Sequence, residues 1–296
     1  MKNIFSAFLF YLFLKPLSWL PLFVLHLISS FTRFVVFDLL KYRREVVMKN
    51  LRNSFPDRSE DELQLVRKRF ESHFGDLIVE SIKNFSISKK KAELRLQSEN
   101  EEIIHQYLME GRNVAIAGGH QNNWELYGVG CPLHLKVPAM AIYKKLNNHF
   151  FDKKMRDSRG KFGLEMVPTK EASAWMKAPT ENPKVVVYGT DQSPANPKKS
   201  FWMNWLNQET AMYFGLERHA KQYDMVVVFG SLLKVKRGYY KVVYHLVTDQ
   251  PNQMKEGDII KKTSHLLEKD IKEHPQYWLW THKIWKHKRP EGVVLN

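Results

Sequence analysis

The sequence predicts an α/β fold, a sheet covered by helices on both faces, set behind a hydrophobic N-terminal segment. Three observations predict it. The first 40 residues are almost uncharged and strongly apolar. A helical pattern with a one-sided apolar stripe follows, around residues 56–91. Beyond residue 112, short and nearly continuous apolar runs alternate with helical stretches, as strands buried on both faces do.

The opening "MKNIFSAFLFYLFLKPLSWLPLFVLHLISSFTRFVVFDLL" contains Ile4 to Leu14, an apolar run too short to span a bilayer alone, since spanning takes roughly 20 residues. Lys15-Pro16 interrupts it, and Leu17 to Thr32 resumes with few polar residues. Two readings follow: a transmembrane helix kinked at Pro16, or a helical hairpin or interfacial helix that enters one leaflet. A secretory signal peptide fits less well, because no small-x-small cleavage site precedes a mature start. "KYRREVVMKNLRN" (41–53) is rich in Lys and Arg, which orients this flank to the cytoplasm and to anionic headgroups. The expected division is a membrane anchor over 1–40 and a cytoplasmic domain over 41–296.

"SEDELQLVRKRFESHFGDLIVESIK" places Leu63, Val66, Phe70, Phe74, Leu77 and Ile78 on one helix face, and Ser59 with Glu62 forms a capping-box pattern at its start. Strands are expected at 113–119, 139–144, 184–190 and 225–235, with 239–247 close enough to pair antiparallel with the last. There are no repeats and no Pro/Gly/Ser linker, so 41–296 reads as one domain.

A formal net charge of +15, from 46 Lys and Arg against 31 Asp and Glu, suits a polyanionic partner. No helix-turn-helix, zinc-finger or RNP-type motif accompanies it, and the hydrophobic N-terminus argues against nucleic acid. The single cysteine, Cys131, excludes an internal disulfide and a thiolate metal cluster and fits a reducing compartment. The 18 Phe, 12 Tyr and 8 Trp suit either a lipid interface or a large aromatic core. "FWMNWLN" (201–207) poses the same choice locally, between an acyl-chain groove wall and core packing.

The chemistry centres on "GGHQNNWE" (118–125), which follows a predicted strand. In open α/β sheets ligands bind beyond the carboxyl ends of strands, where His120 falls. Residues i and i+5 of one helix point about 140° apart, so His120 and Glu125 can meet only if a turn separates them. One reading is an ordinary helix start, with Asn122 as N-cap and Glu125 at the third helical position. The other makes His120 a general base, its second ring nitrogen held by Glu125. No G-x-S-x-G elbow or reactive thiol supplies a protein nucleophile, so the base would act on a substrate hydroxyl. No zinc motif is present. "KKMRDSRGK" offers Arg156 and Arg159, and "YGTDQSP" ends a strand with Asp191 and Gln192 at the edge where His120 lies. A solvated helix face and a turn before Pro194 are the plainer readings of these.

The "HQNNWE" stretch resembles the H-x4-(D/E) signature of glycerolipid and lipid A acyltransferases. Its surroundings are similar to the late acyltransferases of lipid A biosynthesis and to relatives that acylate other glycolipids. "NLRNSFPDRSEDE" (50–62), "YKKLNNHFFDKKMRDSRGKFG" (143–163), "YGTDQSP" (188–194) and "PQYWLWTHKIWK" (275–286) resemble that family's further blocks in order. Lys144 and Ile284 depart from positions where arginine is usual, which bears on substrate rather than chemistry. The resemblance implies a glycerolipid-acyltransferase-like αβα sandwich with a mixed sheet, at the bacterial inner membrane. It implies acyl transfer from an acyl carrier protein thioester, or from acyl-CoA, to a hydroxyl of an anionic glycolipid, with no cofactor and no metal. His120 would be the base with Glu125, backbone N–H groups after Gly118-Gly119 would bind the oxyanion, and Arg159, Arg156, Asp191 and Gln192 would bind substrate. A lysophospholipid or aminolipid acceptor is the alternative within the chemistry; a basic, non-catalytic membrane protein is the alternative outside it.

Overall fold

The computed structural model describes residues 2–296. Helices α1 (Lys2–Leu9), α2 (Lys15–Trp19) and α3 (Leu22–Arg33) open the chain, followed by α4 (Arg44–Ser54), α5 (Glu60–Asn84) and α6 (Lys89–Arg95). Then come β1 (Leu96–Glu99), α7 (Glu102–Met109), β2 (Val114–Gly118), α8 (Trp124–Leu135), β3 (Ala139–Tyr143), α9 (His149–Arg159), β4 (Leu164–Pro168), α10 (Ala172–Lys177) and β5 (Val185–Gly189). The chain ends with β6 (Phe201–Trp205), β7 (Gln208–Met212), α11 (Gly215–Gln222), β8 (Val226–Lys236), β9 (Tyr239–Thr248) and α12 (Asp258–Glu273).

Seven strands form one sheet in the order β1-β9-β8-β2-β5-β3-β4. Only β8 and β9 pair antiparallel, as their spacing predicts; the other neighbours are parallel. Successive side chains of a strand point to opposite faces, and β2 shows it. Ala115 and Ala117 join a core with residues of α4, α5, α11 and α12. Val114 and Ile116 join a second core with residues of α6, α7 and α8. The sheet is therefore covered on both sides, which is why its strands read as unbroken apolar runs.

Four strands lie outside the expected set. β1 reads LQSE and β4 reads LEMVP at the two sheet edges, where one flank is unpaired and Pro168 is tolerated. β6 and β7 form a separate hairpin turned by Leu206 and Asn207, both at positive φ. Trp202 and Trp205 are fully buried there, so "FWMNWLN" is core rather than an exposed groove wall.

At the N-terminus the helix does not break at Lys15-Pro16. Pro16 lacks an N–H, and the chain accommodates it with a wider turn over Phe10–Leu14, closed by Lys15 N–H to the Phe10 carbonyl. The break comes at Leu20-Pro21, both in extended conformation, as expected for a residue that precedes proline. Lys83 Nζ donates to the carbonyls of Ser18 (2.9 Å) and Leu20 (2.8 Å) that this break leaves open.

Leu22–Leu39 is one helical run long and apolar enough to cross a membrane. Its polarity is inside out. Ser29 is buried, with His26 nearly so, and both face the domain: Ser29 Oγ donates to Asp76 (2.7 Å) and His26 Nε2 meets Glu80 (2.9 Å). Phe23, Leu27, Phe31 and Phe34 form an exposed stripe at helical spacing, continued by Trp19 and by Phe5, Phe8 and Leu12 of the first run. The α5 helix that receives α3 starts with the predicted Ser59–Glu62 capping box. It passes Ser29 at Gly75, where a Cβ would come within 2.8 Å of the Ser29 carbonyl.

Candidate active site

Strands β2 and β5 are neighbours in parallel register, with Gly118 opposite Gly189. His120 lies two residues beyond the first glycine and Asp191 two beyond the second, so two loops that leave the same sheet edge bring these side chains together. His120 Nδ1 lies 2.6 Å from Asp191 Oδ1, and the His120 backbone N–H donates to Asp191 Oδ2 (2.7 Å). Trp278 Nε1 donates to the same Oδ2 (2.7 Å). Asp191 is buried and His120 partly exposed.

Burial alone would raise the Asp191 pKa, but the His120 charge, its ring and backbone hydrogen bonds and the Trp278 indole hold it below the ordinary carboxylate value. Burial alone would lower the His120 pKa; the Asp191 charge and hydrogen bond outweigh it and hold the imidazole above its usual value. An ionised Asp191 accepting from Nδ1–H leaves Nε2 as the basic nitrogen. The Gln192 side-chain amide nitrogen lies 3.1 Å from that Nε2 and donates to it in the neutral tautomer. Close packing fixes the ring: a Cβ on Gly189 would come within 3.0 Å of His120 Cε1, and one on Gly119 would strike Leu267. Trp124 packs edge-on to the imidazole at 5.5 Å.

Glu125 is turned away from His120 and forms a two-pronged pair with Arg159, Nε to Oε2 at 2.9 Å and Nη2 to Oε1 at 2.6 Å. The expectation that Glu125 orients His120 is thus corrected. Helix α8 starts at Trp124, with Asn123 as N-cap accepting from the Leu126 N–H (2.8 Å), so Glu125 occupies the second helical position and its carboxylate points across to α9. Asn122, the expected cap, sits in the left-handed region at φ 50°. Its amide donates to the Leu232 carbonyl (2.7 Å) and its N–H to the Tyr277 carbonyl (2.8 Å).

Arg159 is engaged by Glu125 through Nε and Nη2. Arg156, one turn earlier, is exposed and meets Asp152 at 3.5 Å. It lines a cleft of about 400 Å³ with Glu165, Glu171 and Trp175 beside β4, so the two arginines do not converge on one group. Asp191, expected to contact sugar, is buried behind the histidine. Among the backbone donors expected for an oxyanion, the N–H groups of His120, Asn122 and Leu126 are taken by Asp191, Tyr277 and Asn123. Lys144 is exposed and Ile284 buried in the core, so neither departure touches the histidine.

Sequence reasoning missed the clamp from the C-terminal loop. Besides Trp278 and Tyr277, His282 packs against the Asp191 backbone, and burial holds its pKa below the usual histidine value. Asn50 anchors that loop by donating to the carbonyls of Trp280 (2.9 Å) and His282 (3.1 Å). Trp205, Trp278, Trp280 and Trp285 pack ring against ring beneath it. The signal was the density of tryptophan in "PQYWLWTHKIWK" together with the buried asparagine of "NLRNSFP".

A comparison with protein families matches residues 1–287 to the bacterial lipid A biosynthesis acyltransferase family. No curated protein matches the chain.

Proposed function

The chain belongs to the bacterial lipid A biosynthesis acyltransferase family, and from that premise we propose that it transfers a fatty acyl group from a carrier-protein or CoA thioester to a hydroxyl of a lipid A precursor. His120 acts as general base and is oriented by Asp191. The observation that carries this reading is the buried Asp191 carboxylate on His120 Nδ1, which leaves Nε2 facing the sheet edge.

In this mechanism the acceptor hydroxyl displaces the Gln192 amide and gives its proton to Nε2 while its oxygen attacks the thioester carbonyl carbon. Asp191 stabilises the imidazolium formed. Negative charge on the carbonyl oxygen develops near the positive end of α8, whose first-turn N–H groups beyond those already paired supply the donors. Collapse breaks the C–S bond, and Nε2–H protonates the departing thiolate. The Glu125–Arg159 pair shapes the wall of the site rather than holding the base. A lysophospholipid or aminolipid acceptor would use the same steps.

Residues 1–40 are read as the membrane anchor and 41–296 as the catalytic domain. The exposed apolar stripe supports contact with lipid, and the basic 41–53 flank supports the cytoplasmic face of the inner membrane.

The test is mass spectrometry of lipid A and phospholipids from cells with and without the protein, complemented by wild type or His120→Ala. Lipid A lighter by one acyl chain, restored by wild type and not by a folded His120→Ala, is the expected result. Loss of a different acylated lipid moves the acceptor. Full rescue by His120→Ala ends the proposed mechanism.

A further inference from the structure

A second feature at the same sheet edge is a cleft of about 520 Å³ between the far end of β8, β9, β1 and the loop before Trp278. Its charged wall is formed by Lys234, Lys241 and Glu99, with Gln276, His274 and Tyr277 opposite. Glu99 is taken by Lys241 at 2.9 Å. Asp76 on α5, a carboxylate on which the Lys234 charge acts, is committed to Arg237 and Ser29.

Lys234 forms no ion pair among the described residues, and the carboxylate whose charge it meets, Asp76, is the one already committed. The Lys234 Nζ donates to His73 Nδ1 at 3.2 Å and lies 5.3 Å over the Tyr277 ring. His73 is buried, and burial together with the Lys234 charge pushes its pKa down to about 3, so it is a neutral acceptor. Its Nε2 is buried without a partner among the described residues. An ammonium whose direct contacts are an imidazole nitrogen and an aromatic face has N–H donors left for a ligand. Gln97, Gln276 and His274 add hydrogen-bonding groups around it.

We propose that this cleft is a phosphate-ester site, with Lys234 as its cation and the Gln276 and His274 side chains as flanking donors. Tyr277 is a wall of the cleft, its carbonyl receives the Asn122 N–H, and the next residue, Trp278, holds Asp191. A phosphate here therefore lies behind the loop that carries His120, apart from the reacting hydroxyl. The identity of the ligand rests on the acyl-transfer reading: a phosphorylated glycolipid acceptor and a pantetheine-linked donor both carry a phosphate ester.

The first measurement uses the full chain in detergent with inorganic phosphate as probe, followed by thermal shift and equilibrium binding. Wild type and Lys236→Gln, on the same strand outside the cleft, should bind phosphate saturably. Lys234→Gln should bind it about tenfold more weakly or not at all. Equal binding by all three proteins overturns the site. If Lys234→Gln does not fold, His274→Ala and Gln276→Ala carry the test, and unchanged phosphate binding in both overturns it.

Kinetics then separate the sources. A KM raised about tenfold for the phosphorylated acceptor at unchanged kcat, with a dephosphorylated acceptor unaffected, assigns the site to the acceptor. A rise confined to the donor KM assigns it to the donor arm. No change in either KM overturns the link to the transferred substrates. Phosphate binding is read without turnover, so a chain that binds phosphate and transfers no acyl group would sink the acyl-transfer reading alone.

Discussion

At the scale of residues, the assignment turns on which carboxylate serves His120. Asp191→Asn removes the charge and reverses the preferred tautomer, and kcat should fall by roughly 10²–10⁴. Glu125→Gln, which loosens Arg159 and leaves the imidazole in place, should cost far less in kcat; the two variants assayed side by side check this. The pH profile gives an independent reading. The base must be neutral to act, and its pKa is raised in the folded protein, so the acidic limb of kcat/KM should lie above the ordinary histidine value of about 6.5 and move to lower pH in Asp191→Asn. The stability linkage has a definite sign. The pairing stabilises the fold fully below the unfolded histidine pKa, and that contribution is lost as pH rises through the raised folded value. For Asp191, held low, the contribution is present above the unfolded carboxylate pKa and is lost as pH falls through the folded one. The place of His120 at the sheet edge was legible from the strand and glycine pair that precede it. The partner of His120 was not, because i+5 proximity in sequence favoured Glu125, whereas the true neighbour depends on β2 lying beside β5, a long-range pairing that no local pattern encodes.

At the scale of elements, local chemistry was read well where it was strong. The capping box at Ser59, the amphipathic face of α5 and the five buried strands are all set by side-chain type at short spacing. Edge strand β1 carries a single apolar residue and β4 is broken by Glu165 and ends on Pro168, so neither stands out, and the β6–β7 hairpin depends on two non-glycine residues at positive φ. The proline misled in the same way: a wider helical turn absorbs Pro16, and the chain breaks at Pro21 instead. The seam between α3 and α5 is set by a single small residue. Gly75→Ala would drive a methyl into the Ser29 carbonyl and the Arg33 Cβ, at a cost of about 1–3 kcal/mol. Thermal denaturation should show that loss, and limited proteolysis should show faster cutting within residues 2–40 while the rest of the chain stays resistant.

At the scale of the whole molecule, the N-terminal helices are held to the domain through charge as well as contact. Glu80 is fully buried and gathers His26 of α3, Arg95 of α6 and the Asn123 cap of α8. Breaking such a group by removing one partner is strongly destabilising, because the others are left buried and uncompensated. Deleting residues 1–40 should therefore lower the melting temperature of the remaining chain and not merely release it from lipid. The exposed stripe can be altered without that penalty. Leu27→Ser with Phe31→Ser removes two large apolar groups, each worth roughly 1.5–3 kcal/mol on burial, and should weaken binding to anionic vesicles at least tenfold with the fold intact by circular dichroism. Raising salt should weaken the wild type's binding as well, since the net charge of +15 contributes to it.

The clamp on Asp191 also sets an order of events during synthesis. His120 and Asp191 are made early enough to pair once β2 and β5 meet, yet the carboxylate's third hydrogen bond and the tie on Asn122 come from Trp278 and Tyr277. Asn50, translated long before, keeps its amide for carbonyls at Trp280 and His282. A nascent chain that stops short of these residues can contain His120 and Asp191 and still lack the bonds that set them, so the paired geometry is expected only after the tryptophan-rich loop has been made.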